Sequence, residues 1–400
     1  MKKLLGVLLA IAMSWPVSAT VLKNVEVVGE IQTIASDVRT NHTTATYNTG
    51  TSARVLAGLS ADLVEDVTAN LLFQYANVWG ADSEAGKNLD GYWNDTSVVN
   101  ANVVLHNLFC AFDVTVGRQF YGDEDSAIIY FGPNHYNAEF PGYTNSLDAA
   151  KLTYADDVKS FTLIGGRVNT VAGAPSWGPV GVAYDIYGAD FKLHMGDNAT
   201  AQVYGYDVRD VLGDNDSGIY GAKLAANMEA VRASAEYARN FGGKRLVKEH
   251  KDTGHMLKVD LAADIEAVTA RGTFYYANDN FAALGNYTTG LLVGHVLGGQ
   301  IDNYTATKGV ALFNLGFDVK PFEKWTFSLD GYTFQDHRMD HSATLEADLT
   351  AKYAHNEYVE LFAGVGYAKY TKTDAYFTPF NKARLGSDNV KGQLGMLIKF

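Results

Sequence analysis

In 400 residues the chain has a single cysteine, Cys110. No intrachain disulfide can form, so packing and backbone hydrogen bonds must hold the fold, and Cys110 reads as a structural residue in a short turn. Proline is scarce at 7, against 39 glycines, 24 tyrosines and 20 phenylalanines, a balance that suits many strands joined by tight turns. Stripes of 3.6-residue period are few, which disfavours a helical core. Long apolar runs are missing too. Beyond the N-terminal segment nothing reaches the roughly 18 uninterrupted apolar residues of a helical span. The nearest approach, Leu291 to Leu297, is short and flanked by glycines. Charge is sparse, at 19% of residues, and the net charge of −13 disfavours a nucleic-acid partner.

What is present begins with an export signal. Lys2 and Lys3 precede an apolar run from Leu4 to Met13 that is too short to cross a bilayer. Trp15-Pro16 breaks the run, and Val17-Ser18-Ala19 offers small residues before a cut at Ala19/Thr20. The expectation is a signal peptide over 1–19 and one exported domain over 20–400, with no helical way to sit in a membrane.

The exported part alternates in polarity. Val67, Ala69, Leu71, Phe73 and Tyr75 interleave with Thr68, Asn70, Leu72 and Gln74. Leu345, Ala347, Leu349, Ala351 and Tyr353 interleave with Thr344, Glu346, Asp348, Thr350 and Lys352. A soluble sandwich also alternates, but here the apolar set often ends in an aromatic residue, where a membrane girdle would lie. A non-helical span must close on itself, because every amide in lipid needs a partner. Short turns near 61–66, 106–110, 155–159, 196–198, 227–229, 262–265, 320–324 and 354–357 alternate with longer segments. This predicts an all-β transmembrane antiparallel β-barrel of about 18 strands, with short periplasmic turns and long outer loops. In 180–206 the phase shifts between Ile186 and Tyr187, which suggests a bulge or a different turn. At the other end, Leu394, Met396, Ile398 and Phe400 point one way and Gln393, Gly395, Leu397 and Lys399 the other. That terminal aromatic strand resembles the C-terminal signal of bacterial outer-membrane β-barrels, which implies the cell outer membrane, with its lipid and lipopolysaccharide as surroundings.

Barrels of 16–18 strands leave an aqueous channel. The inward set here is polar and of mixed sign, and includes Asn70, Gln74, Lys151, Lys192, Lys223, Arg232, Glu236, Lys258, Arg271, Asp330, Glu346, Asp348 and Lys391. Such a lumen passes small hydrophilic solutes or ions and disfavours lipid. The segment 120–146 is apolar in its middle, Ile128-Ile129-Tyr130-Phe131, and is hinged by Gly122, Gly132-Pro133 and Pro141-Gly142. Folded inward, its apolar part is sheltered. A narrowing third loop of this kind is a feature of general porins, which the topology resembles. Asp123, Glu124 and Asp125 then face wall cations such as Lys151, Arg232 or Arg271, with Lys258 as a further lining base. Segment 278–308, long and glycine-rich, is a second candidate constriction.

Val116 to Asp125 and Leu147 to Tyr154 resemble the Gly-Arg-Gln…Tyr-Gly-Asp-Glu and Asp-Gly-Val-Arg-Leu-Thr-Tyr segments of the alginate-export-type porins. The resemblance implies a monomeric 18-stranded barrel passing anionic polysaccharide or small solutes, with Arg118 and Lys151 as wall residues near the constriction. Two positions depart from that pattern: Ala149 or Ala150 replaces a glycine, and Lys151 an arginine. Arg118 also stands in the outward phase of Val114 and Val116 unless a bulge follows Gly117. The narrower alternative is thus a dedicated exporter for anionic polysaccharide. A non-conducting structural or adhesive barrel is a third reading. His337 and His341, between Asp336 and Asp340, are the candidate metal ligands, although a solvated loop tip is the plainer outcome. No His-Glu-x-x-His, phosphate-loop or Gly-x-Ser-x-Gly pattern is present, so neither cofactor nor enzymatic activity is expected. Nothing on the outward faces chooses between a monomer and a homotrimer.

Overall fold

A computed structural model describes residues 22–40, 48–79, 95–109, 111–124, 126–136, 144, 146–169, 183–210, 217–241, 254–278, 281–285, 289–292, 309–336, 338–339, 343–370 and 388–400. The expected signal peptide, Cys110, Asp125, His337 and His341 lie outside these residues.

Strands run in chain order as β1 (Lys23–Thr40), β2 (Asn48–Val64), β3 (Val67–Trp79), β4 (Asp95–Leu108), β5 (Phe112–Gln119) and β6 (Leu147–Ala155). Then come β7 (Lys159–Asn169), β8 (Ala183–His194), β9 (Ala199–Asp210), β10 (Ser217–Met228), β11 (Val231–Phe241) and β12 (His255–Ile265). The series ends with β13 (Val268–Ala277), β14 (Val310–Phe322), β15 (Trp325–Asp336), β16 (Thr344–Ala354), β17 (Val359–Lys369) and β18 (Asp388–Lys399). Each strand pairs antiparallel with the next, and β1 also pairs with β18, so the 18-stranded sheet is a closed barrel. Gly29 and Phe400 exchange two backbone hydrogen bonds, of 2.8 and 3.0 Å, at the seam. Closure leaves no unpaired strand edge for lipid to meet. Among the described residues no helix is long and apolar enough to cross a membrane.

The period-2 pattern sets the two faces. On β16, Leu345 and Leu349 are 49% and 57% exposed, whereas Glu346 and Asp348 are 3% exposed. Aromatic pairs flank the apolar outer band, with Trp325 and Phe327 stacked 5.6 Å apart at one end and Phe274 and Phe313 at 4.8 Å toward the other. One expected turn moves. β12 continues through Ile265 and the chain reverses at Glu266, whose φ of 53° is left-handed. Asp264 thereby stays in the strand, where it accepts from Thr269 Oγ1 at 2.6 Å and Arg232 Nη1 at 2.8 Å.

The bulge expected near Ile186 is absent: β8 pairs with β7 and β9 without a break in register. Tyr184 and Ile186 do face the lumen, and they are tolerated there because an inward loop covers them. A register shift occurs instead between β3 and β4, opposite Leu72 and Phe73.

Candidate functional site

An apolar patch on the lumen face of β7–β9, made of Ile164, Val168, Ile186, Tyr206 and Val208, needs a cover from water. The segment after β5 supplies it. Ala127, Ile128, Ile129 and Phe131 join the same cluster and are each at most 5% exposed. Tyr121 and Phe131 exchange backbone hydrogen bonds of 2.8 and 2.7 Å, and the Tyr121 hydroxyl lies 3.0 Å from that of Tyr206 on β9. Burial pushes the Tyr121 phenol up to about 12.

The same segment reaches β1 and β2, nearly half a ring away from β9. Arg54 is fully buried there; its Nη1 donates to the Asn134 carbonyl at 2.6 Å and its Nη2 to Glu30 Oε1. His135 sits between two carboxylates, with Nε2 2.7 Å from Glu30 Oε2 and Nδ1 2.7 Å from Glu124 Oε2. The His135 amide donates to Glu124 Oε1 at 2.6 Å. Carboxylates accept only, so both ring nitrogens must donate and the imidazole is charged. Burial pulls His135 down, but the hydrogen bonds and charges of Glu124 and Glu30 outweigh it and hold the ring at about 9. Beyond it, the Tyr136 amide donates to Gln32 Oε1 at 3.0 Å, and the Lys352 ammonium lies 3.7 Å from the Tyr136 ring centre.

A second loop joins the first. Tyr130 N donates to the Leu284 carbonyl at 3.0 Å and Leu284 N to that of Ile128 at 2.9 Å. The approach is close at Gly285, where a Cβ would fall 2.3 Å from the Ala127 carbonyl carbon. Asn240 on β11 clamps Ala282, accepting from its amide at 2.9 Å and donating to its carbonyl at 2.8 Å. Further on, Glu346 Oε1 accepts from Leu291 N and Leu292 N, both at 2.7 Å, and Lys391 Nζ donates to the Leu291 carbonyl at 2.8 Å. Gly290 turns the chain there with φ of 72°. Together the two loops form an apolar bar across the lumen.

The wall residues expected from sequence scatter around this bar. Lys151 faces the lumen from β6, half-buried, with no ion pair to another described residue. Lys258 is buried on the lumen face 3.5 Å from Asp260. Arg232 lies at the turn end of β11, paired with Asp264, and Arg271 is held by Asp318 at 2.7 Å and Asp330 at 3.1 Å. Arg118 is a correction. No bulge follows Gly117, so Arg118 keeps the outward phase and its Nε and Nη2 bind Asp148 at 2.7 and 2.8 Å. Asp123 is exposed, and Glu124 faces His135 rather than Lys151, Arg232 or Arg271, because the loop docks on β1 and β2. A cavity of ≈ 450 Å³ opens beside Asn227, Arg232, Ser234, Asp260, Arg271 and Thr273.

Sequence reasoning missed Glu30, Arg54 and His135. The one available signal was the even spacing of Glu30 and Gln32 on an apolar strand, which marks a polar inward face. It also missed a register row across β8–β12, in which Lys192, Gln202, Lys223, Glu236 and Lys258 lie side by side.

No family model and no curated protein matches the chain. Solved structures do. OccK9 (OpdG) of Pseudomonas aeruginosa is 12% identical with a TM-score of 0.63, over 94% of this chain and 99% of that one. OccAB1 of Acinetobacter baumannii is 11% identical with a TM-score of 0.61, over 94% and 97%. The outer membrane protein OprD from Pseudomonas aeruginosa is 9% identical with a TM-score of 0.59, over 94% of each chain. At these identities what is shared, along nearly the whole length, is the fold: a closed 18-stranded antiparallel barrel.

Proposed function

We propose that the protein is an outer-membrane channel through which small hydrophilic solutes or ions diffuse passively, past a bar made by its two inward loops. The observation that carries this reading is a polar, charged inner face on a closed barrel of 18 strands, a size that encloses water rather than a filled core. Two sets of charges, on the loops and on that face, bear most directly on passage. Glu30, Glu124 and Glu346 hold the loops in place. Lys151, Lys192 and Lys223 make no ion pair with a described residue and stand on the β6–β10 flank of the wall. On the same flank Asp190 of β8 also faces the lumen, accepting from Gln202. Three lysines thus stand against one described carboxylate, and the net charge there is basic, which favours anions or anionic groups on solutes.

The segments 116–125 and 147–154 support a narrower reading, an alginate-export-type pore, through Lys151. The outward Arg118 removes one of the cations that reading needs, so the small-solute channel is preferred. The test is single-channel recording of the refolded mature chain in a planar bilayer under a KCl gradient. Stable ohmic steps with an anion-favouring reversal potential are expected. A correctly folded barrel that stays silent overturns the proposal.

A further inference from the structure

Arg118, Asp148, Arg167, Asp185 and Arg209 are successive register partners across β5–β9. All five stand in the outward phase, near the strand ends that carry the longer connections. Strand spacing makes the row about 19 Å long. Arg167 donates from Nε and Nη2 to Asp185 at 2.6 and 2.9 Å, and Arg209 donates from Nε to Asp207 at 2.8 Å. The Arg209 guanidinium lies 5.4 Å from the centre of the Tyr187 ring, which itself covers Gly165. The two arginine side chains reach the surface, 47% exposed at Arg167 and 59% at Arg209.

Exposed ion pairs of this kind add little stability in water, and on a lipid face the cost of an arginine vanishes only near the interface. The row therefore marks headgroup depth. Guanidinium groups suit phosphate oxygens, and exposed carboxylates suit divalent cations that bridge to phosphate. A second copy fits less well. The row reads Arg-Asp-Arg-Asp-Arg, so a two-fold partner centred on Arg167 sets Arg167 against Arg167 and Asp148 against Asp185. One centred half a strand away sets Arg167 against an Asp185 that already pairs within its own copy. We infer that the row on β5–β9 binds the phosphorylated headgroup of an outer-leaflet glycolipid, with Arg167 and Arg209 on its phosphates and divalent cations on Asp185 and Asp207.

The inference rests on the outer-membrane reading, but its test does not depend on conduction. The full chain is refolded into phosphatidylcholine vesicles with Mg²⁺, with or without bis-phosphorylated lipid A, and lifted out in mild detergent. Lipid A per barrel is then counted by mass spectrometry. The wild type is expected to retain lipid A, and Arg167→Gln with Arg209→Gln to lower retention by about tenfold or more. EDTA and dephosphorylated lipid A are expected to do the same, and these arms need no variant to fold. Retention that is unchanged in a folded variant and insensitive to EDTA overturns the inference. So does row-dependent cross-linking into dimers without retained lipid. Conductance of the same vesicles is read separately: a conducting barrel that retains nothing refutes the lipid row alone, and a retaining, silent barrel refutes the channel alone.

Discussion

His135 is the charged rivet between the loop and the wall, and removing its charge should loosen the bar at one end. Its pKa stands at about 9 against an ordinary 6.5. Each unit is worth about 1.4 kcal/mol, so the docked state gains about 3 kcal/mol from the protonated ring. Because the docked pKa is raised, that gain is complete below about pH 6.5, shrinks as pH climbs, and is gone above about pH 9. His135→Asn removes the cation and leaves Glu30 and Glu124 facing each other beside Arg54. The assay is single-channel recording at a series of pH values. The wild type is expected to show a steady level at neutral pH, with added flicker or larger steps that grow in toward about pH 9. His135→Asn is expected to show the alkaline behaviour already at neutral pH and to lose the pH dependence. Wild-type recordings that are flat across that range, matched by a folded His135→Asn barrel, would refute the latch.

Two further outcomes follow from the same geometry. Asn240→Ala removes both hydrogen bonds that hold Ala282, and amides in 281–285 are expected to exchange with deuterium about tenfold faster or more, while strand amides keep their protection. Lys192→Glu with Lys223→Glu reverses two wall charges that make no ion pair with a described residue, and the reversal potential should move toward cations; Arg232→Glu should move it less, being a single reversal at the turn end of β11.

The barrel was legible because lipid enforces strict alternation, and a one-residue slip would turn every charged residue of a strand outward. Leu345 to Tyr353 and Leu394 to Phe400 obey that rule along their whole length. The reading failed where the lumen departs from water. Tyr184 and Ile186 looked like a phase error because an apolar side chain on an inward face implies a covering loop, and no local pattern says which loop. For Arg118 the alternation itself was right, since its outward phase was visible; what failed was the wall role implied by the family resemblance, because an outward charge is stable only at headgroup depth. Glu30, Arg54 and His135 come from three separate segments, and their meeting depends on where a loop lands rather than on any spacing.

The join between the loops decides how such a channel could open. Ile129 and Leu284 pair as a parallel bridge, so the two loops move as one bar. Its anchors are distributed: Tyr206 on β9, Glu30 and Arg54 on β1 and β2, Asn240 on β11, and Glu346 on β16. Each such contact contributes about 1 to 3 kcal/mol, so losing one frees an end without lifting the whole bar. Alkaline release of His135 should therefore widen the passage beside β1 and β2 and leave Ile128 and Phe131 on their patch. Full withdrawal of the bar would expose that apolar patch to water as well, which is why a partial, one-sided opening is the cheaper motion.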